Sequence, residues 1–252
     1  MDSVVFNHTS IIESWDQVRP SGPMLDDDRL VGLPPGARRY LQHAIAEGER
    51  LATAVRLRMH GHIRLKGWYP FEADEFVDWG RGFVWRATVK IKGVRISGCD
   101  SLENGIGATR WKLFGVVPLV MASGSDITRS AAGRVNVESI WLPSVLADRK
   151  VSWTENNASS PKATFSAHGE RADLAFAIDE NGRLLSVNMP RWGNPRNSPF
   201  AYYNCGGFVD EEGTFTGYTI PTRMRIGWHF GTPRFEREGE FFRVTIDEAE
   251  YR

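Results

Sequence analysis

The chain has 252 residues, 41% hydrophobic and 25% charged, the balance of a globular protein able to bury a sizeable core. Lysine plus arginine equals aspartate plus glutamate at 31 each, so no overall positive field exists to attract nucleic acid, which is not expected as a partner. Any charged partner has to be met by a local patch.

Residues 1–29 hold Pro20, Gly22, Pro23 and the acidic run Asp26, Asp27, Asp28, and read as an N-terminal leader folded loosely against the body. They contain no basic stretch leading into an apolar run, so a signal peptide is not expected. Residues 30–252 then read as one domain. Its first segment, LVGLPPGARRYLQHAIAEGE, opens a helix with Pro34 and Pro35 and places Ala37, Tyr40, Leu41, Ala44 and Ile45 on one stripe.

From Leu51 the period changes to two. Val55, Leu57 and Met59 alternate with Arg56, Arg58 and His60, and FEADEFVDW, FVWRATVKI and RWKLFGVVPLVM follow between turn residues. Residues 126–146, DITRSAAGRVNVESIWLPSVL, return to a helical stripe through Ala131, Val135, Glu138, Leu142 and Val145. The two-residue period then resumes to the end, with DENG at 179–182 as a strong hairpin turn.

About eleven strands and two helices, without alternating strand and helix units, argue for an α+β, mostly β fold: a single strongly curved antiparallel sheet. Two helices cannot close a barrel, but they can lie in the mouth of a half-barrel and bury its inner face.

The strings LPPGARRYL (33–41), GWYPFEADE (67–75), GFVWRA (82–87), RWKLFGVVPLV (110–120), RSAAGRVNVESIWLPSVL (129–146), PRWGNP (190–195) and GYTIPTRMRIGW (217–228) carry a resemblance. In this order, over most of the chain beyond residue 30, they resemble a bacterial family of unknown function. That family is similar in fold to the lipoprotein-localisation-factor-like (LolA-like) half-barrels. The resemblance implies a curved sheet wrapped around helices, with room for lipid or another apolar ligand.

The residues that point to chemistry begin with Arg134 and Glu138. Four apart on the inward stripe, they form either a structural ion pair locking helix to sheet or a pair that lines a pocket and meets a ligand. Arg129, one turn earlier, offers a second cation. Arg191, Trp192 and Arg196 share a loop rich in glycine and proline, where a guanidinium beside an indole suits anion capture or surface stacking. Nine tryptophans and 14 phenylalanines are many for this length; Trp85, Trp111, Trp141, Tyr218 and Trp228 are candidates for an aromatic cavity wall.

Other signals are weak. His60 and His62 share a strand face and His229 lies on another strand, but no cysteine or carboxylate stands at ligand spacing, so no metal is expected. His43 and His168 read as ordinary histidines. SSPK at 159–162 is a polar turn, and ENGIGA at 103–108 lacks the third glycine of a dinucleotide loop, so no cofactor is expected. Cys99 and Cys205 follow no redox or metal spacing and fit a reducing, cytoplasmic compartment. No window approaches the ~18 apolar residues of a spanning helix, so no integral membrane segment is expected. Oligomeric state is not legible.

Three functions fit these readings. The first is a soluble protein that binds a hydrophobic or amphipathic small molecule in an aromatic half-barrel. The second is a cofactor-free cyclase, isomerase or lyase with Glu138 as general acid or base and Arg134 holding an oxyanion. The third is a structural module with a filled core.

Overall fold

The computed structural model describes residues 10–252, so the first nine residues of the leader lie outside the described residues. Thirteen strands form one antiparallel sheet: β1 (Ala54–Arg64), β2 (Trp68–Asp78), β3 (Gly82–Ile91), β4 (Val94–Glu103), β5 (Ile106–Leu113), β6 (Val117–Ser123), β7 (Ser152–Glu155), β8 (Pro161–Ala167), β9 (Glu170–Ile178), β10 (Leu184–Gly193), β11 (Ala201–Phe215), β12 (Tyr218–Trp228) and β13 (Glu240–Tyr251). The first six run outward from β1 to one edge at β6. The last seven start at the opposite edge with β7 and return to β13, which pairs with β1 in the middle.

Open sheets of this width seldom stay flat, and bulges sharpen the bend. Register shifts at Arg58/Met59, Val209/Glu211 and Ile226/Gly227 fall on the three central strands and on β11. The result is the curved half-barrel expected from the sequence.

Two helices occupy the concave face. Helix α1 (Pro35–Ala44) starts at its prolines and buries Ala37, Tyr40, Leu41 and Ala44. Tyr40 packs on Trp153 and Phe176, closing one end of the trough. Helix α2 (Ser125–Val137) lies between the two wings, touching β4 and β5 on one side and β9 and β10 on the other.

Two sequence expectations need correction. The helix expected over 126–146 is α-helical only to Val137. It continues as 3-10 turns at Glu138–Trp141 and Pro143–Ala147, with a break at Leu142 (φ −131, ψ 64). Pro143 causes the break, because its ring disfavours helical geometry in the preceding residue. The strand count is thirteen and not about eleven. RWKLFGVVPLVM is a hairpin, β5 and β6, turning at Phe114 (φ 50) and Gly115 (φ 75). The unread strand is β4, whose sequence VRISGCDSLE alternates poorly.

In the described part of the leader, Ile11 and Trp15 are buried on the convex face among Ala54, Phe76 and Val84. Leu25 and Leu30 join the main core.

Candidate functional site

Alternation along β2 sends Phe71, Ala73, Glu75 and Val77 to the concave face, so a carboxylate enters the core with three apolar neighbours. Glu75 is fully buried. Arg134, on the last turn of α2, reaches down to it with an Nη2 to Oε1 distance of 2.7 Å. Its Nε meets Glu138 Oε1 at 2.6 Å, and Nη1 stands 3.6 Å from Asp100 Oδ2 on β4. The guanidinium lies over Phe83 and Trp85, with centroids 4.7 and 5.0 Å away, so aromatic faces share the work of replacing its water shell.

The acids are not equivalent. Burial, then the charge of Glu138, pushes the Glu75 carboxyl up to about 8, against the lowering influence of Arg134. Glu75 and Glu138 share Arg134, and the proximity of the second carboxylate disfavours ionisation of the first. Glu75 Oε2 and Glu138 Oε2 are buried without a hydrogen-bond partner. Burial alone would lower the Arg134 pKa, but Glu138, Glu75 and Asp100 together raise it, so the guanidinium stays charged. Asp100 is fixed from behind by the Thr109 hydroxyl and by Trp111 Nε1 at 3.1 Å.

This cluster forms one wall of a cavity of ≈ 240 Å³ between the end of α2 and the sheet. Trp85, Trp141, Trp228, Phe241 and Phe242 supply aromatic surface; Asp100, Arg134, Glu138 and Arg191 supply charge; Cys205 supplies a thiol. Arg191 lies over Trp228 at 5.1 Å and donates twice to the Ser130 carbonyl at 3.1 and 3.3 Å. Gly133 on α2 makes room for it, since a Cβ there would stand 2.9 Å from Arg191 Cγ. Burial raises the Cys205 thiol pKa, so it remains a thiol and a poor nucleophile at neutral pH.

Of the residues expected from sequence, Glu138, Arg134, Trp85, Trp141, Arg191 and Trp228 therefore meet around one space. Trp111 stands behind it, packed on Trp85 at 5.8 Å and seated over Gly98. Arg129 and Trp192 belong elsewhere. Arg129 bonds Glu170 at 2.7 Å and Tyr202 at 2.9 Å and covers Trp192 at 3.9 Å, while Trp192 donates to Asp126 at 3.0 Å, so the group pins α2 to β9, β10 and β11. Tyr218 is corrected to a structural role: its hydroxyl bonds the Arg50 carbonyl and the Ala52 amide, and its ring stacks on Tyr251.

Glu75 and Asp100 were missed by sequence reasoning. The alternation of β2 was the available signal for Glu75. His60 pairs with Asp247 and His229 packs edge-on against Tyr203. Among the described residues no group of three histidine, cysteine or acidic side chains is placed to hold a metal ion. No described helix is long and apolar enough to cross a membrane.

An open antiparallel half-barrel with helices in its mouth and a charged aromatic cavity beneath one of them defines the class of this protein by shape. Over residues 31–251 the chain matches the family of unknown function DUF6920, and it belongs to that family. No curated protein matches it. Among solved structures, a LolA superfamily protein from Nitrosomonas europaea is similar at 7% identity and a TM-score of 0.44, covering 86% of this chain and 92% of that one. A candidate outer membrane lipoprotein-sorting protein domain from Vibrio parahaemolyticus is similar at 9% identity and a TM-score of 0.42, covering 79% and 85%. A DUF1329 family protein from Desulfovibrio piger is similar at 10% identity and a TM-score of 0.37, covering 79% and 86%.

Proposed function

We propose that the chain binds an amphipathic small molecule in the aromatic cavity. The apolar part lies between Trp85, Trp141, Trp228 and Phe242, and the polar end meets Arg134, Glu138 and Arg191. The observation that carries this reading is the convergence of four charged side chains, Asp100, Arg134, Glu138 and Arg191, on a cavity otherwise lined mostly by aromatic and aliphatic residues, the usual character of a small-molecule site. At about 30 Å³ per water-sized group, the space takes roughly eight non-hydrogen atoms. That suits a headgroup or the end of a chain, with the rest of the molecule extending outward. A filled structural core fits such a space poorly.

A cofactor-free acid–base enzyme is the second reading, favoured by one observation. A carboxyl held protonated near neutral pH beside a second carboxyl is the pairing that general acid–base catalysis needs. A cytoplasmic location is part of the proposal and rests on Cys99 and Cys205 being free.

Native mass spectrometry of protein purified from its own cells tests the first reading. The expected result is a retained apolar molecule, with weaker retention in Glu138→Gln. An empty protein that also takes up no added fatty acid or aromatic acid would sink it. Turnover of such a molecule, lost in Glu138→Gln and in Glu75→Gln, would establish the second reading instead.

A further inference from the structure

Three hairpin turns stand side by side at one end of the sheet. The β1–β2 turn follows Arg64, which pairs with Trp68; the β3–β4 turn follows Ile91, which pairs with Val94; and the Phe114 amide of the β5–β6 turn donates to the Arg95 carbonyl. Large apolar side chains project from two of them into solvent: Leu65 is 57% exposed, Phe114 66% and Val116 72%. The exposed row continues onto the edge strand β6 through Val117, Leu119, Val120 and Met121. Scattered apolar residues need no explanation, but a contiguous run that ends at the tip of a hairpin does.

The charge carried by the three turns themselves has one sign. The turn segments RLKG (64–67), IKGVRI (91–96) and KLFGVV (112–117) hold Arg64, Lys66, Lys92, Arg95 and Lys112 and no carboxylate. At the same end, Glu238 of the β12–β13 connection is tied to Arg234 and Arg196. The cavity opens toward this end too. Ile63, Trp228 and Phe241 line both the cavity and a groove shared with Arg64, Leu65 and Arg196.

We infer that this end of the sheet docks on an anionic lipid bilayer surface, with Phe114, Val116 and Leu65 entering the interface and the surrounding cations meeting the headgroups. Exposed apolar side chains within a ring of lysine and arginine are what interfacial binding requires. The neutral total charge of the chain does not oppose it, because the attraction acts within a Debye length of the surface. A second copy adding a strand to β6 is the poorer occupant. Pro118 offers no N–H, and the register shift at Trp111/Lys112 distorts the edge. That docking serves to load the cavity rests on the reading proposed above, whereas the docking itself stands on the turns.

Flotation of the full chain with vesicles tests it, using phosphatidylcholine alone and equal parts phosphatidylcholine and phosphatidylglycerol. The wild type is expected to float with the anionic vesicles and to release in high salt. Phe114→Asn with Val116→Ser is expected to weaken binding by roughly tenfold or more at an unchanged melting temperature. Asparagine tolerates the positive φ at position 114. Lys92→Glu with Lys112→Glu is expected to do the same by charge alone. Glu138→Gln, which alters only the cavity, is expected to float like the wild type, so a failure of the cavity reading leaves this result standing. The inference is overturned if the wild type does not float with the anionic vesicles, or if both turn variants float as well as it does. A concentration-dependent dimer that Phe114→Asn with Val116→Ser dissociates, in a protein that ignores vesicles, would assign the patch to a second copy and overturn it as well.

Discussion

Arg134 has three carboxyl groups around it, and the effect of neutralising one of the four depends on which is chosen. Glu138→Gln removes a partner but also removes a charge that, after burial, helps to hold Glu75 protonated. Glu75 then ionises more readily and takes over as counterion, so the loss in stability is expected to stay below the ~3 to 5 kcal/mol of an uncompensated buried charge. Arg134→Met leaves three acids without their cation and is expected to incur that full cost, a fall in melting midpoint of ~6 to 20 °C at ~2 to 4 °C per kcal/mol. A third expectation concerns pH. The Glu75 carboxyl titrates near 4.5 when unperturbed and near 8 in the folded protein, so between those values the folded state keeps a proton that the unfolded state has lost. Its stabilisation is complete below the lower value and disappears as pH rises through the higher one, by at most ~1.4 kcal/mol per pH unit. Glu75→Gln keeps the neutral donor, so the wild type should lose stability relative to this variant between about pH 4.5 and about pH 8 in thermal unfolding, and no further above that. A constant difference between the two curves would refute the raised pKa of Glu75. Of this cluster, Arg134 and Glu138 are legible from their spacing on a helical stripe. Glu75 is legible only if a charged residue in a strand is read as inward-facing, against the habit of placing it outside. Asp100 is hidden because its strand is.

At the scale of elements, α2 holds its position over the trough because Gly107 on β5 and Gly133 on the helix itself let it approach the sheet. On β5, a Cβ at Gly107 would stand 2.6 Å from Thr128 Cα and 2.8 Å from its amide nitrogen, and the Gly107 amide donates to Thr128 Oγ1 at 2.9 Å. Backbone atoms cannot rotate away from such a clash. Gly107→Ala is therefore expected to push the start of α2 off the sheet and to cost ~1 to 3 kcal/mol, a fall of several degrees in melting midpoint. An unchanged midpoint would mean that the helix is less firmly seated than these distances imply. Which elements are readable follows from the same local chemistry. Strands with alternating apolar residues, such as β1 and β3, announce themselves. Strand β4 does not, because Gly98 leaves its centre vacant for the Trp111 ring. The turn between β5 and β6 hides inside an apolar run whose side chains stay in solvent, where a buried strand was the natural expectation. The stripe of α2 extrapolates past Val137 only by ignoring Pro143, the one residue in the segment that dictates a break.

For the whole molecule, period-two patterning around one helical stripe makes a curved antiparallel sheet legible, but not the order of its strands. Twelve strands in two hairpin meanders would read alike whichever edges met. The order is decided by β13, which inserts between β1 and β12 and joins the two wings. Within each wing every strand pairs with its neighbour in sequence, so the contacts are local and close only short loops. The pairing of β1 with β13 instead brings together residues such as His60 and Asp247, 187 positions apart, and the entropy of closing that loop must be met before the contacts reward it. The last strand also buries Val244 and Ile246 in the core and places Phe242 against Phe71. Without it, β1 and β12 become bare edges facing each other across a gap, and the wings are left joined by the crossover through α2 and by the segment before β1, whose Ala46 and Ala52 amides bond the Gly217 carbonyl and the Tyr218 hydroxyl. A chain ending at Gly239 is therefore expected to lose cooperative thermal unfolding and to expose apolar surface to a dye. Adding residues 240–252 as a separate peptide is expected to restore a single transition, because the missing strand has a paired slot waiting on both sides. A truncated chain that melts cooperatively near the wild-type midpoint would show that α2 and its seats on β5 and β10, rather than the β1–β13 seam, hold the two wings as one body.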